Sequence, residues 1–305
     1  MAPSKTVYVG IDLLPARAHA KGPAREVPQR QKFSLGENQD TLLAASENHP
    51  ALRPSLVKGT EAATYTALDS DLHLQVIGAG SLADVLAYIG GQAGAFVAIN
   101  APRRPSMGLM RQDTVRQSLE PPPRNGSWLK YRVAEYQLQL PILPTPDDVA
   151  ACPEWMRRGF ELYDRLGDLG YNAYPAESEA ARVTLETNAY ASFYRILGHA
   201  PLPASTLEGR LQRQLILHEM GVRVADPMDF FEDVTTNRLL HGSLPLRNIH
   251  TPNELDALVA AVIAWLADKR SGQVNLLGAP EEGQIVVPHA GLLNEQAANR
   301  GAKGT

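Results

Sequence analysis

The sequence holds a single cysteine, Cys152, among 305 residues. One thiol cannot form an intramolecular disulfide, an iron–sulfur cluster or a cysteine-caged zinc site, and such scarcity fits a reducing cytoplasm. An excess of positive charge is also missing. With 29 Lys and Arg against 33 Asp and Glu, the net charge is −4, which excludes a globally cationic nucleic-acid coat but not a local basic patch. Long apolar runs are absent as well: the longest, 257–267, is well short of the roughly 20 residues of a membrane span. The first residues show neither the basic region nor the apolar stretch of a signal peptide. A cytoplasmic protein without a membrane partner is therefore expected.

Several chemical templates are missing too. There is no phosphate loop of the G-x-x-x-x-G-K-[ST] type, no H-E-x-x-H and no G-x-S-x-G elbow. Cys152 is followed by Pro153 and Glu154 with no evident base, so a catalytic thiol is not expected. What is present is a globular composition, 44 % hydrophobic and 20 % charged, enough to bury a sizeable core.

Residues 6–12 form a nearly continuous, β-branched apolar run that reads as a strand buried on both faces and ends on Asp12. Residues 95–99 repeat that shape and end on Asn100. In open α/β sheets ligands gather at the carboxyl ends of strands, so the recurrence of a short polar side chain there is informative. Weaker strands are expected at 31–35, 55–58, 72–77, 182–187 and 285–287, and a short helix at 41–46. Ser81 can cap a helix carrying Leu82, Val85, Leu86 and Ile89. Further helices are expected at 131–140, 153–169 and 207–220. Thr251, Pro252 and Glu254 make a capping box with proline at the first helical position, opening a helix so apolar that it must be buried. Residues 289–305 read as a disordered tail.

Residues 101–132 stand apart. Seven basic side chains against Asp113 and Glu120 give +5, leaving −9 for the remainder. With Pro121, Pro122, Pro123, Gly126 and Trp128 breaking regular structure, the segment reads as a mobile loop suited to a phosphate backbone and stacked bases. Arg103, Arg104, Arg111, Arg124, Lys130 and Arg132 are its candidate nucleic-acid contacts.

Four polar side chains sit where packed elements begin or end: Asp12, Asn100, Glu186 and Asp256. Carboxylates that converge repel one another unless divalent cations neutralise them, and such a cluster can hold Mg²⁺ or Mn²⁺ for phosphodiester hydrolysis. Here the segments Val9-Gly10-Ile11-Asp12, Val97-Ala98-Ile99-Asn100-Ala101-Pro102, Arg132-Val133-Ala134-Glu135, Leu185-Glu186-Thr187-Asn188, Gly209 with Arg213, and Glu254-Leu255-Asp256-Ala257 follow a familiar order. In that order the chain resembles a group of RNase H-like predicted nucleases, domain of unknown function family 429, from residue 7 to 288. The resemblance implies an α/β fold with a mixed five-stranded sheet flanked by helices. One domain over 1–288 would carry a helical and loop insertion at about 101–175, after the fourth core strand. It further implies catalytic positions at Asp12, Asn100, Glu186 and Asp256, with Asp12, Glu186 and Asp256 as metal ligands and nucleic acid as the partner. Asn100 stands where the family has an aspartate. An amide contributes no charge, so metal affinity should fall, and a catalytically inactive nucleic-acid binder becomes the alternative.

A second alternative comes from Gly78, Gly80 and Ala83, which have the G-x-G-x-x-A spacing of an NADP-binding turn, with Asn100, Arg103 and Arg104 about 20 residues on. Against it, the preceding strand alternates polar residues. His250, just before the last long helix, is a candidate proton shuttle, although a loop histidine is more often only exposed.

Overall fold

The computed structural model describes residues 6–13, 63–124, 126–176 and 180–293. In chain order its elements are β1 (Val7–Asp12), β2 (Ala63–Leu68), β3 (Leu74–Gly80), α1 (Leu82–Gly90), β4 (Ala95–Asn100), α2 (Asp113–Gln117), α3 (Val133–Leu138) and α4 (Glu154–Asp168). These are followed by β5 (Asn172–Ala173), β6 (Arg182–Glu186), α5 (Ala189–Leu197), α6 (Leu207–Glu219), α7 (Asp229–Asp233) and α8 (Thr236–Leu240). The long α9 (Pro252–Lys269) and the hairpin β7 (Val274–Ala279) and β8 (Gly283–Pro288) complete them. The strands expected at 31–35 and 55–58 and the helix at 41–46 lie outside the described residues.

The sheet runs β3-β2-β1-β4-β6-β8-β7, with β5 also pairing with β6. Strand β2 is antiparallel to both β1 and β3, whereas β1, β4, β6 and β8 are mutually parallel. This mixed sheet flanked by helices is consistent with an RNase H-like α/β fold. It is broader than five strands: among the described residues it has eight, because the β7–β8 hairpin extends one edge and the short β5 pairs with β6.

Side-chain alternation divides the core into two layers. Tyr8, Ala98, Leu185 and Val286 project to the face covered by α9, α5 and α6. Val9, Ile11, Val97 and Ile99 project to the opposite face, against Val85 and Ile89 of α1 and Leu162 and Leu166 of α4. Helix α9 is apolar on nearly every side because it is covered on nearly every side, with Leu255, Leu258, Val259, Val262 and Ile263 fully buried. Its closeness to the sheet depends on Gly10. A Cβ there would lie 1.9 Å from the Ala257 carbonyl oxygen and 2.3 Å from the Ala261 nitrogen, so only glycine lets the helix axis approach.

Residues 101–132 are anchored to the body. Met110 and Leu119 are buried with Val133 and Tyr136 in a small core of their own. At the hairpin turn, the fully buried Glu282 accepts hydrogen bonds from Ser106 Oγ (3.0 Å), the Met107 N–H (2.8 Å) and the Val133 N–H (2.9 Å). The segment read as a mobile loop is thus pinned near both ends. Of the residues read as a tail, 289–293 are described: Leu292 is buried in the core under α9, and the Gly291 N–H donates to the Arg195 carbonyl at 2.7 Å.

Candidate functional site

The parallel register sets Asp12 directly beside Asn100, at the carboxyl ends of β1 and β4. Both side chains are buried and share the face of Tyr8 and Ala98, beneath α9. Asp256 precedes Ala257, whose carbonyl oxygen lies over Gly10, and is itself 6 % exposed. Helix α9 therefore brings Asp256 to the same face as Asp12. Glu186 is different. It pairs with Ile99, not Asn100, so alternation directs its side chain to the opposite face.

The Asn100 amide is oriented by its partners. Only an oxygen can accept from the Ala189 N–H, which fixes Oδ1 there at 2.9 Å and leaves Nδ2 to donate to Asp12 Oδ1 at 2.8 Å. Asp12 thus meets an N–H donor where the resemblance implies a carboxylate.

On the other face, Glu186 is engaged by a buried arginine. Arg132 Nη1 donates to Glu186 Oε2 at 3.1 Å, Nη2 donates to Glu186 Oε1, and Nε donates to Glu135 Oε1 at 3.0 Å. The Arg103 N–H adds a bond to Glu186 Oε2 at 2.9 Å. Burial alone would weaken the hold of Arg132 on its proton; Glu186 and Glu135 outweigh that and raise its pKa above the ordinary guanidinium value. Nearby, burial foremost, and then the charge of Glu186, push the Tyr163 phenol far above its usual range, so it serves as a donor to the Leu185 carbonyl at 3.1 Å.

A divalent centre shared by Asp12, Asn100, Glu186 and Asp256 does not fit this donor set. Glu186 faces away and is neutralised by Arg132, and Asn100 presents hydrogens rather than an oxygen to Asp12. The group of acidic and histidine side chains whose ligand atoms all lie within 4.8 Å of one another, among the described residues, is instead Asp69, Asp71 and His73. These occupy the β2–β3 turn. Since Leu68 pairs with Tyr8 and Thr64 with Asp12, that turn lies at the opposite end of the sheet, roughly 13 Å along the strand at about 3.3 Å per residue. Asp69 Oδ1 already accepts from the N–H groups of Asp71 (2.9 Å) and His73 (3.0 Å), and Oδ2 from Gln75 Nε2 (2.9 Å). The alternating Asp-Ser-Asp-Leu-His spacing was the signal in the sequence for this group.

The six basic candidates separate into two sets. Arg132 is fully engaged inside, and the Arg103 guanidinium lies 5.1 Å from the Tyr163 ring centroid. Arg104, Arg111, Arg124 and Lys130 are exposed, Arg111 in an ion pair with Asp147 at 2.6 Å. Trp128 packs against Tyr131 and Tyr136 with ring centroids 5.0 Å apart in each case, so it belongs to the local core and not to a free stacking platform.

The NADP-type turn lacks its context. Strand β3 is an edge strand paired antiparallel with β2, not a central parallel strand. Ser81 and Asp84 cap α1 reciprocally, and a Cβ on Gly80 would meet Asp84 Oδ2 at 2.9 Å, so the glycine accommodates the cap and not a pyrophosphate. His250 faces Glu254 at 3.5 Å in the capping turn of α9, a structural pairing in place of a proton shuttle. Burial, the largest influence, pushes the Cys152 thiol up, away from nucleophilic use. No helix among the described residues is long and apolar enough to cross a membrane.

Beside Asn100 and Glu186 a cavity of about 380 Å³ opens at the carboxyl ends of β4 and β6. Arg132, Glu135, Thr187 and Asn188 contribute its polar lining, and Trp155, Met156, Ile142 and Tyr190 its apolar lining. Trp155 and Tyr190, from the first turns of α4 and α5, escaped the sequence reading because nothing local marks two distant helix starts as neighbours.

Residues 132–283 match the model of a family described as Protein of unknown function (DUF429). The matched stretch is just under half of the chain, and it contains Arg132, Glu135, Glu186 and Asp256 but neither Asp12 nor Asn100. No curated protein and no solved structure matches the chain.

Proposed function

We propose that the protein binds nucleic acid across the carboxyl ends of β1, β4 and β6 and does not carry out efficient metal-dependent phosphodiester cleavage. The observation behind this reading is the orientation of Asn100, whose amide hydrogens face Asp12 and replace the negative charge that a divalent ion would need. Where an RNase H-like centre holds Mg²⁺ or Mn²⁺, the ion supplies an activated water and a counter-charge for the leaving oxygen. Here Asn100 supplies a fixed hydrogen bond instead, and Arg132 supplies the counter-charge for Glu186. Support for a phosphate-bearing partner comes from the segment that leaves the sheet at Asn100 and returns at Arg132. It carries the exposed Arg104, Arg124 and Lys130.

The test combines fluorescence anisotropy on a labelled single-stranded oligonucleotide with a cleavage assay in Mn²⁺. Salt-sensitive binding with no cleavage is expected. Mn²⁺-dependent cleavage by the wild type, abolished by Asp12→Ala, would overturn the reading. Asn100→Asp should gain Mn²⁺ binding by calorimetry where the wild type shows none.

A further inference from the structure

A backbone-tracking surface does not explain the 380 Å³ cavity, which lies in the roughly 300–1,000 Å³ range typical of small-molecule sites. We infer that it receives one unstacked nucleobase, a neutral planar heterocycle held by stacking and amide hydrogen bonds. Only the source of the base, a bound strand as against a free nucleoside, rests on the proposed function above.

Three observations lead to this ligand class. The first is the wall: the half-buried Trp155 and Tyr190, contributed by different helices, line the cavity together with the buried Met156, so its apolar lining is rich in flat, polarizable groups. Aromatic rings of this kind hold a base through its π-face. The second is charge. Arg132 is the cation in the lining, and its guanidinium is committed to Glu135, to Glu186 and, through Nη1 at 3.4 Å, to the Glu282 carbonyl. One cation between two carboxylates sums to −1, so a phosphate is disfavoured inside the cavity and a neutral ring is not. The third is the donor set. Asn188 spends Oδ1 on the Ala191 N–H at 2.9 Å as the N-cap of α5, which leaves its NH₂ group for the ring nitrogens and carbonyl oxygens of a base. Asn100 likewise has a second amide hydrogen beyond the one given to Asp12. Phosphates attached to such a base would lie outside, toward the exposed basic side chains of the 101–132 segment.

The experiment titrates the full chain by calorimetry with adenosine, with uridine and with inorganic phosphate. In parallel it compares an oligonucleotide with one of equal length carrying abasic sites. Saturable heat with a nucleoside and none with phosphate is expected, together with weaker binding of the abasic strand. Tyr190→Ala should weaken nucleoside binding by about tenfold, the loss of one base–aromatic stack. Absence of nucleoside heat would overturn the inference while leaving nucleic-acid binding in place; nucleoside heat with equal affinity for the intact and abasic strands would support the cavity and make a free nucleoside, not a bound strand, its source of base. Nucleoside binding without any oligonucleotide binding would support the cavity and remove the proposed function. The wild-type arms suffice if Tyr190→Ala does not fold.

Discussion

Arg132 holds a full positive charge with 1 % of its surface exposed, which is sustainable only because Glu135 and Glu186 meet its fork from two directions. Arg132→Met is expected to cost about 3–5 kcal/mol in urea unfolding, since it strands two buried carboxylates. Arg132→Lys should recover little of that, because an ammonium cannot make the paired contacts. Asn100 sets up the opposite experiment. In Asn100→Asp the buried donor to Asp12 becomes a like charge, so the melting temperature should fall in EDTA and recover with Mn²⁺; a melting temperature unchanged in both conditions would show that the pair tolerates the charge without an ion. At this scale the sequence was readable for identity but not for orientation. Asp12, Asn100 and Asp256 do share a face, whereas Glu186 does not, because a register offset of one residue between β4 and β6 reverses the face. No property of residues 182–186 announces that offset.

At the scale of elements, the seam between β1 and α9 has no room for a side chain at Gly10. Gly10→Ala should destabilise the protein by about 3 kcal/mol, the upper end of ordinary overpacking, because the obstructing atoms are helix backbone and cannot rotate away. The start of α9 carries a pH signature. Burial raises the Glu254 carboxyl, but hydrogen bonds from His250 and Thr251 outweigh it and hold its pKa below the ordinary 4.5. A depressed folded-state pKa contributes stability that is present above 4.5 and lost as pH falls through the lower folded value. Denaturation followed from pH 6 to 3 should therefore show a steeper loss in the wild type than in Glu254→Gln. Elements with a strong local signal were legible: the capping box at Thr251, the helix over 207–220 and the paired strands at 7–12 and 95–100. Strands β2 and β7 and helix α5 were not. β7 lies along a sheet edge with every residue half-exposed, so neither a buried run nor a clean alternation marks it, and the hairpin partner that stabilises it comes later in the chain.

Over the whole molecule, a net charge of −4 conceals a cationic margin beside an acidic body. The structure reduces that margin, since Arg132 is internal and Arg111 and Arg116 are paired with Asp147 and Asp113. If Arg104, Arg124 and Lys130 remain as phosphate contacts, log affinity for a single strand should fall with log salt at a slope of about −2, and replacing all three with Ala should flatten it. A slope near zero in the wild type would mean that this edge does not carry a nucleic-acid backbone.

Glu282 holds Ser106 and Met107 at the beginning of the excursion and Val133 at its end, so one carboxylate closes the segment into a ring. Between those anchor points the structural duties fall to Arg132, which holds Glu186, and to the buried Met110 and Leu119, and the exposed residues around Pro121 and Pro122 carry none of them. That tip can be rewritten, lengthened or exchanged at a closure cost that grows only slowly with length, which makes it a replaceable cassette through which the same sheet edge could be given different binding preferences.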